Sequence, residues 1–567
     1  MYRHLYQIWN GGKSMVVKKV VSVWVILAGI VLLTGCYGGG YESVNDSNQK
    51  EGDAAESQST LYLATTGEIP TLKTNGTMDG LSQTIIQNIF EGLYRIGKDD
   101  KPTEGIASGY ETSENGKVFT FDLREDAQWS NGDSVTANDF IYAWKKALHP
   151  DTFSPHAYLM SPIKNASEIQ NPDDVKYGKV DQLGVKALDK KTLEVTLENK
   201  VPYFIELLTN PVFYPQNKKF VEEQGEDYAL EVENLVFNGP FTLKSWNHGQ
   251  GWVLEKNKAY WDSKTVKTDE INYKVAKDTS TAVNLYESNT IDVANLSSEF
   301  VDVYKDNKEF ATSVMSEVYF LRFNQKNKFL SNVKIRKALD MAWDKKQATE
   351  VILKNGSKPA HYLVPYNFTE SSSGEDFREK YGNFNTTEVE KAQELFKQGM
   401  DELGVSKVSL ELLSYDDGQR KSVAEYIKNQ WEKNLPGLSI TINQQPNKQK
   451  IALEEKLDYD VSHSGWRNDV KDPVEFLSLF LSDGPYNWQN FRNEKYDKLV
   501  KKAQTDFSDI EKRFKDLQEA ERILIEEEAA ISPMYQAGSA KLIKPYVKDF
   551  VAHSNNTYTY KWVKVKK

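Results

Sequence analysis

The 567-residue sequence contains one cysteine, Cys36. No disulfide can form within the chain, so a fold in an oxidising compartment must rest on packing. Histidine is also scarce: seven are scattered with no HExxH pair and no Cys/His cluster, which leaves zinc without an obvious ligand set. No G-x-S-x-G elbow occurs, and Gly12-Lys13-Ser14 is no phosphate loop, since Gln7 stands where the first glycine is required. The expectation is no metal, no cofactor and no enzyme activity, although a glycosidase pair among 82 acidic residues cannot be located from sequence alone. A formal net charge of -11 argues against nucleic acid as a partner. Beyond residue 33 no apolar run is long enough to span a bilayer, and the mean hydropathy is -0.61.

What the chain does have begins at its start. Val20 to Leu33 is almost wholly apolar and follows Lys18 and Lys19, the charged and apolar regions of a secretory signal. As a helix it would cover about 20 Å at ~1.5 Å per residue, short of the ~30 Å hydrocarbon core. Leu33-Thr34-Gly35-Cys36 resembles a bacterial lipobox, in which the cysteine receives a diacylglyceryl group before cleavage leaves it as the first residue. Two acyl chains give stable attachment where one gives only marginal binding. We therefore expect residues 1–35 to be a signal peptide, translation starting at Met1 or Met15, and Cys36 to anchor the protein on the outer face of a bacterial, Gram-positive cell membrane. Residues 36–60, with Gly38-Gly39-Gly40 and then small polar and acidic side chains, read as a flexible tether of about 25 Å reach.

The remaining ~500 residues exceed what one core supports, so two or more lobes are expected. Aromatic residues make up 12% of the chain, enough large rings for both cores and binding surfaces. Strands and helices alternate along it. Val118 to Leu123 and Leu193 to Leu197 alternate by two, as half-buried strands do. Between them Thr136 is a candidate N-cap with Asp139 three residues on. Phe140, Ala143, Trp144, Ala147 and Leu148 then mark one helix face up to His149-Pro150. Further helices are expected over Val333 to Trp343, Val389 to Leu403, Ser422 to Trp431, Tyr496 to Ala503 and Ile510 to Glu528. Strand-like Val318 to Phe323 and Val408 to Leu413 lie among them. The pattern is α/β without an internal repeat.

Three blocks are more specific. Asn88-Ile89-Phe90-Glu91-Gly92-Leu93-Tyr94, Phe119-Thr120-Phe121-Asp122-Leu123-Arg124 and the run from Trp129 to Phe140 follow in an order and spacing that resemble the solute-binding proteins of peptide importers, extracellular family 5. Asn238-Gly239-Pro240-Phe241-Thr242-Leu243 with Tyr260-Trp261, and Phe323-Asn324-Gln325 before Val333-Lys334-Ile335-Arg336-Lys337-Ala338, resemble later segments of the same family. The resemblance covers essentially everything after the tether. Physically the first blocks are packing and turn chemistry: the Asn131-Gly132 turn joins Trp129 to the helix that begins near Thr136.

The resemblance implies a two-lobe, type II binding-protein fold of the large peptide-binding class, with an extra subdomain and the ligand in the cleft between lobes. Lobe I would comprise 61–80, 205–310 and 537–567, the inserted subdomain 81–204, and lobe II 311–536. It further implies a monomeric, lipid-anchored receptor that captures oligopeptides. The receptor would deliver them to an ABC permease whose ATPase subunits are separate chains. A dipeptide or non-peptide solute is the alternative ligand, and a cell-surface hydrolase the alternative class.

The block expected to meet ligand is Ser462-His463-Ser464-Gly465-Trp466-Arg467-Asn468-Asp469, read as a loop after the alternating Tyr459-Asp460-Val461 and followed by Asp472-Pro473. Carried over from the family, Asp469 would hold the peptide α-ammonium group through a charge-assisted hydrogen bond. Gly465 would admit the ligand backbone, and Trp466 would wall a side-chain pocket. The other reading is a surface turn in which Asp469 caps or is solvated. Asn468 belongs to the same loop. Arg467 has two readings, a peptide carboxylate or a neighbouring acid as its partner. Ile69, in Gly67-Glu68-Ile69-Pro70-Thr71-Leu72, is either a ligand-facing residue of the first strand and loop or a core isoleucine. The chain departs from the family in Lys73-Thr74, where Asp-Pro is common, and in His463, where some relatives carry arginine.

Overall fold

A computed structural model describes residues 59–76, 79–371, 373–467 and 470–567. Its organising element is one mixed sheet of eleven strands. Ten of them are β1 (Thr60–Thr65), β2 (Phe241–Asn247), β3 (Gly251–Lys256), β4 (Glu270–Val275), β5 (Val293–Leu296), β6 (Phe310–Phe323), β7 (Val408–Tyr415), β8 (Leu438–Gln445), β9 (Val461–Arg467) and β10 (Ile531–Ile543). Their spatial order is β8-β7-β9-β6-β10-β5-β1-β4-β3-β2, and the short strand Lys358–Pro359 pairs off β10. At one end β7 runs parallel to β8 and β9; at the other, β1 runs parallel to β4 and β5. A separate antiparallel sheet joins Ala107–Thr112, Val118–Leu123, Thr192–Thr196 and Val185–Ala187.

Local sequence explains most helices. Thr136 and Asp139 form a capping box: the Thr136 amide donates to Asp139 Oδ2 at 2.8 Å. The helix it starts, Ala137–Leu148, buries Phe140, Ala143, Trp144, Ala147 and Leu148. Helix Val389–Leu403 has the bounds its periodicity predicts. Helices Gly418–Asn434 and Glu494–Thr505 extend beyond the predicted ranges because Asp417 and Asn493 cap them earlier. Helix Ile510–Arg522 gives way to a wider turn over Ile523–Glu527.

The apolar cores sort along the sheet. Tyr319, Leu321 and Phe323 of β6 enter one core with helices Val333–Met341 and Gly418–Asn434. Val318 and Phe320 enter another on the opposite face, as the two-residue period of a strand requires. Beyond β10, residues of β1, β3 and β4 share a continuous core with the four-stranded sheet, and Leu296, Ala540 and Leu542 build a smaller one.

Among the described residues, only the strands β6 and β10 pass from one group of cores to the other. Their pairing runs from Phe310↔Leu542 to Arg322↔Ile531 but is interrupted between Val314↔Gly538 and Val318↔Gln536. At that bulge the Gln536 side chain replaces the missing ladder bonds. Its Nε2 donates to Met315 O at 2.9 Å and Tyr366 O at 3.2 Å; its Oε1 accepts from Tyr362 Oη at 3.0 Å and the Tyr366 amide at 3.1 Å. The residue is 2% exposed. Each group left unpaired at such a site costs about 1–3 kcal/mol. Gln536→Met, similar in volume, should therefore lower unfolding free energy by at least about 2 kcal/mol. Urea denaturation checks this, and an unchanged midpoint would show that Gln536 does not hold the bulge.

Candidate functional site

In open α/β sheets binding groups gather beyond the carboxyl ends of parallel strands. β1, β4 and β5 end together, with Thr65 in register with Val275, and there the protein has a cavity of about 320 Å³. Thr65, Thr66, Ala276 and Asn295 line it, with Gly80 and Leu81 at the start of helix Gly80–Ile89. Phe550, Asn556, Tyr558 and Tyr560 of the C-terminal segment also line it. From the far half of the sheet comes Arg467, the last residue of β9, whose Nη1 lies 3.6 Å from the point a Cβ on Gly80 would occupy. Lys541 of β10 is also in the lining.

The block Ser462 to Arg467 is a strand rather than the loop its composition suggests. β9 pairs with β6 from Phe323↔Val461 to Glu317↔Arg467 and with β7 at its start, so neighbours on both sides override a sequence of serine, histidine and glycine. Gly465 lies opposite Tyr319, and a Cβ there would come within 2.7 Å of the Tyr319 ring. The close approach that glycine permits is made by this ring. Trp466 is half-buried against the core containing Val318 and packs edge-on to Tyr486, with centroids 5.1 Å apart. Of the predicted site residues, Arg467 lines the cavity and Gly465 and Trp466 support its strand. Ile69 is 3% exposed within the main core, and its amide donates to Glu68 Oε1 at 3.0 Å. Asn468, Asp469 and Cys36 lie outside the described residues.

The neighbours that looked unusual in sequence have structural roles. His463 is fully buried, edge-on to Tyr319, Tyr415 and Tyr535. Burial, reinforced by the Arg420 and Lys450 charges, holds its imidazole well below the ordinary value of 6.5. Asp472 caps helix Pro473–Leu477 and pairs with Arg513 at 2.8 Å. Thr74 Oγ1 accepts from Gln216 Nε2 at 2.9 Å. Behind β9, Glu454 takes hydrogen bonds from Ser462 and Ser464 and pairs with Lys450 at 2.8 Å, with Arg322 beside it at 3.9 Å.

One further constellation has the order of nucleophilic machinery. His553 Nδ1 is 2.6 Å from Asp100 Oδ1, and its Nε2 is 2.7 Å from Thr559 Oγ1. Burial raises the Asp100 carboxyl, but the His553 hydrogen bond and charge, Lys471 and the Ser554 amide together hold it below its ordinary value. Thr559 is 2% exposed and does not line the adjoining cavity, so the trio ties the C-terminal segment to the 97–104 turn.

Lys541 escaped sequence reasoning. Its signal was available: it is the only charged residue between Ala529 and Ile543. Placing it in the cavity, however, requires the closure of residues 550–560 over β5 and β10.

Comparison with known proteins agrees with this architecture. The family description "Bacterial extracellular solute-binding proteins, family 5 Middle" matches residues 101–488. The dipeptide-binding protein DppE of Bacillus subtilis is 32% identical over 551 residues, covering 96% of this chain and 99% of the relative. The substrate-binding domain of an oligopeptide ABC transporter from Bacillus anthracis superposes with a TM-score of 0.78 at 44% identity, covering 90% and 99% of the two chains. Listeria monocytogenes OppA bound to peptide gives 0.76 at 37%, with the same coverage.

The buried histidine gives a prediction. A folded-state pKa below the free value means that the fold binds fewer protons than the unfolded chain at acid pH. This stabilising contribution is complete above about pH 6.5 and is lost as pH falls below it. Relative to His463→Phe, the natural protein should lose up to about 1.4 kcal/mol per pH unit on acidification below 6.5. Parallel urea titrations at pH 7.5 and 5 measure the difference, and a constant offset would contradict it.

Proposed function

The chain belongs to family 5 of the bacterial extracellular solute-binding proteins, and from that membership we propose that it captures oligopeptides and delivers them to an ABC-type peptide importer. The observation that carries the proposal is the cavity at the carboxyl edge of β1, β4 and β5, into which Arg467 reaches from the other half of the sheet. A ligand there touches both halves. The sorting of apolar cores supports taking 61–80, 205–310 and 537–567 as one lobe, 81–204 as an insertion and 311–536 as the second lobe. The oligopeptide transporter domain of Bacillus anthracis and the peptide-bound OppA of Listeria monocytogenes support the ligand class. Extended peptides bind such proteins mainly through backbone groups, which every sequence offers.

Asp469 receives the α-ammonium group in this reading, two residues beyond the cavity-lining Arg467. Cys36 carries the lipid that keeps a monomeric receptor near its permease, and residues 36–60 let it turn. Among the described residues no helix is long and apolar enough to cross a membrane. A cavity of about 320 Å³ and the full-length similarity to a dipeptide-binding relative also favour a second reading, a receptor for dipeptides.

Calorimetric titration with peptides of two to nine residues, each free and N-acetylated, tests both readings. Micromolar or tighter binding is expected, with at least a tenfold loss on acetylation or in Asp469→Asn, as follows from a charge-assisted bond worth about 1.5–3 kcal/mol. Equal binding of acetylated peptides would remove Asp469 from the site. An optimum at two residues would select the dipeptide reading, and no binding at any length would refute the proposal. For the anchor, Cys36→Ala should appear in the culture medium with unchanged peptide affinity; full membrane retention would refute lipidation at this residue.

A further inference from the structure

The C-terminal segment differs from the rest of the chain in charge. From Ala540 to Lys567 it carries seven lysines and one acidic residue, Asp549, whereas the whole sequence has 82 acidic residues to 71 basic ones. Three of the seven are absorbed by the fold. Lys541 is buried, Lys544 lies over the Tyr286 ring at 4.0 Å, and Lys561 pairs with Asp262 at 2.8 Å. The other four are gathered by a two-stranded antiparallel ribbon of Val547–Lys548 and Lys564–Val565.

In this ribbon Val547 stands opposite Val565 and Lys548 opposite Lys564, and the Lys566 amide extends the pairing by donating to Tyr546 O at 3.0 Å. Side chains alternate across a strand, so Val547 and Val565 turn to the main core while Lys548, Lys564 and Lys566 share the outer face. Like charges directly opposite one another weaken a strand pair, so this placement does not serve the ribbon itself. Asp549 offsets part of the charge, lying 2.8 Å from Lys564 and 3.7 Å from Lys98. Lys548 and Lys566 are exposed and have no carboxylate partner among the described residues. The exposed Lys567 has Asp292, itself buried, at 3.4 Å. Exposed Lys267 adjoins the same face, since the hydroxyl of its neighbour Thr268 donates to Val563 O at 2.8 Å. Trp562, half-buried, has Lys98 5.8 Å from its ring centre.

The described chain starts on this ribbon. Ser59 Oγ donates to Val565 O at 3.3 Å, and the Ser59 amide donates to Asp269 Oδ2 at 2.8 Å. Whatever precedes Ser59 therefore leaves the folded body beside these lysines. We propose that the outer face of the ribbon is a lipid-contact surface, on which Lys267, Lys548, Lys564, Lys566 and Lys567 meet anionic headgroups of the membrane that holds the anchor. This rests on the reading of Cys36 given above and extends it. The stretch between Cys36 and Ser59 reaches about 25 Å as a coil, so an anchor at Cys36 keeps the ribbon within that distance of the headgroups. Attraction between lysines and anionic lipid acts within a Debye length, about 8 Å at physiological salt, and is additive over the lysines that reach the surface. A body of net charge -11 is repelled by such a surface except through a cationic face, so the ribbon orients the receptor as well as adding to its attachment. A tryptophan among the lysines suits headgroup depth, where an amphipathic ring has one wet and one apolar side.

The test uses the full mature chain as Cys36→Ala, so that its outcome does not depend on acylation. Co-sedimentation with vesicles of phosphatidylcholine alone, or with about a third of phosphatidylglycerol, reads the partition coefficient. At low salt it should be at least tenfold higher on the anionic vesicles, and the preference should vanish near 1 M salt, where the Debye length is about 3 Å. Lys267→Gln, Lys548→Gln, Lys564→Gln and Lys566→Gln together should abolish the preference. Lys186→Gln, Lys190→Gln, Lys397→Gln and Lys407→Gln, four exposed lysines elsewhere, change the net charge equally and should leave it intact. Thermal melts and peptide calorimetry establish that both variants fold and bind as the natural protein does. Equal partition onto neutral and anionic vesicles, or the same loss in both variants, overturns the inference. Mass spectrometry of the natural protein reads acylation of Cys36 separately, so failure of the anchor and failure of the lipid-contact surface are told apart.

Discussion

The pairing of β6 with β10 is the constraint on which the rest of the structure depends. Among the described residues these are the only strands shared by the two groups of cores, and each carries residues of both. Near Phe310 and Leu542 the pair belongs with β5, and near Tyr319 and Tyr535 it belongs with β9. A continuous regular ladder would hold the halves in one fixed relation. Instead the ladder is broken over residues 315–317, where a side chain, Gln536, and a remote backbone group, Ser554 O, satisfy Met315 and Ser316. Bulges concentrate twist and bending at one place in a strand. This one lies at the passage between the halves.

Electrostatics of the interior follow a simple rule with few exceptions among the described residues. Where the fold buries a charge it supplies an opposite one nearby, as in the Arg322, Lys450 and Glu454 group behind β9. Removing either partner of such a pair leaves an uncompensated charge, which is why these groups persist even though pairing adds little net stability. Lys541 has no such partner among the described residues and faces open volume rather than packed atoms. His463, at the other end of the β6 and β10 pairing, shows the alternative solution, an ionisable ring kept neutral among tyrosines.

Much of the fold was legible where local chemistry and tertiary context agree. The Thr136 to Asp139 capping box, the apolar face that follows it and the alternation of Val118 to Leu123 each have a local cause, and each element forms as written. Legibility failed where tertiary pairing decides. Ser462 to Arg467 lacks an apolar alternation because its two faces are filled from other elements: Tyr319 covers Gly465, and Glu454 satisfies Ser462 and Ser464. The first half of β6, Phe310 to Ser316, and most of β10 have no strand pattern either, since they are held by each other. The candidate site shares this property. Arg467 was visible from its motif, but the cavity is assembled from five distant stretches, and only the folded chain brings Lys541 beside Thr65 and Tyr558.

That assembly makes the cavity depend on the pairing of β6 with β10. Every residue lining the cavity except Arg467 belongs to the β5 side of the break or to the segments packed on it, Lys541 included, because Lys541 pairs with Asn295. Arg467 is thus the one described lining residue supplied from the β9 side, and it reaches the cavity because β9 pairs with β6 as far as Glu317, beside the break. The full lining exists only while the pairing of β6 with β10 holds the two groups of cores together.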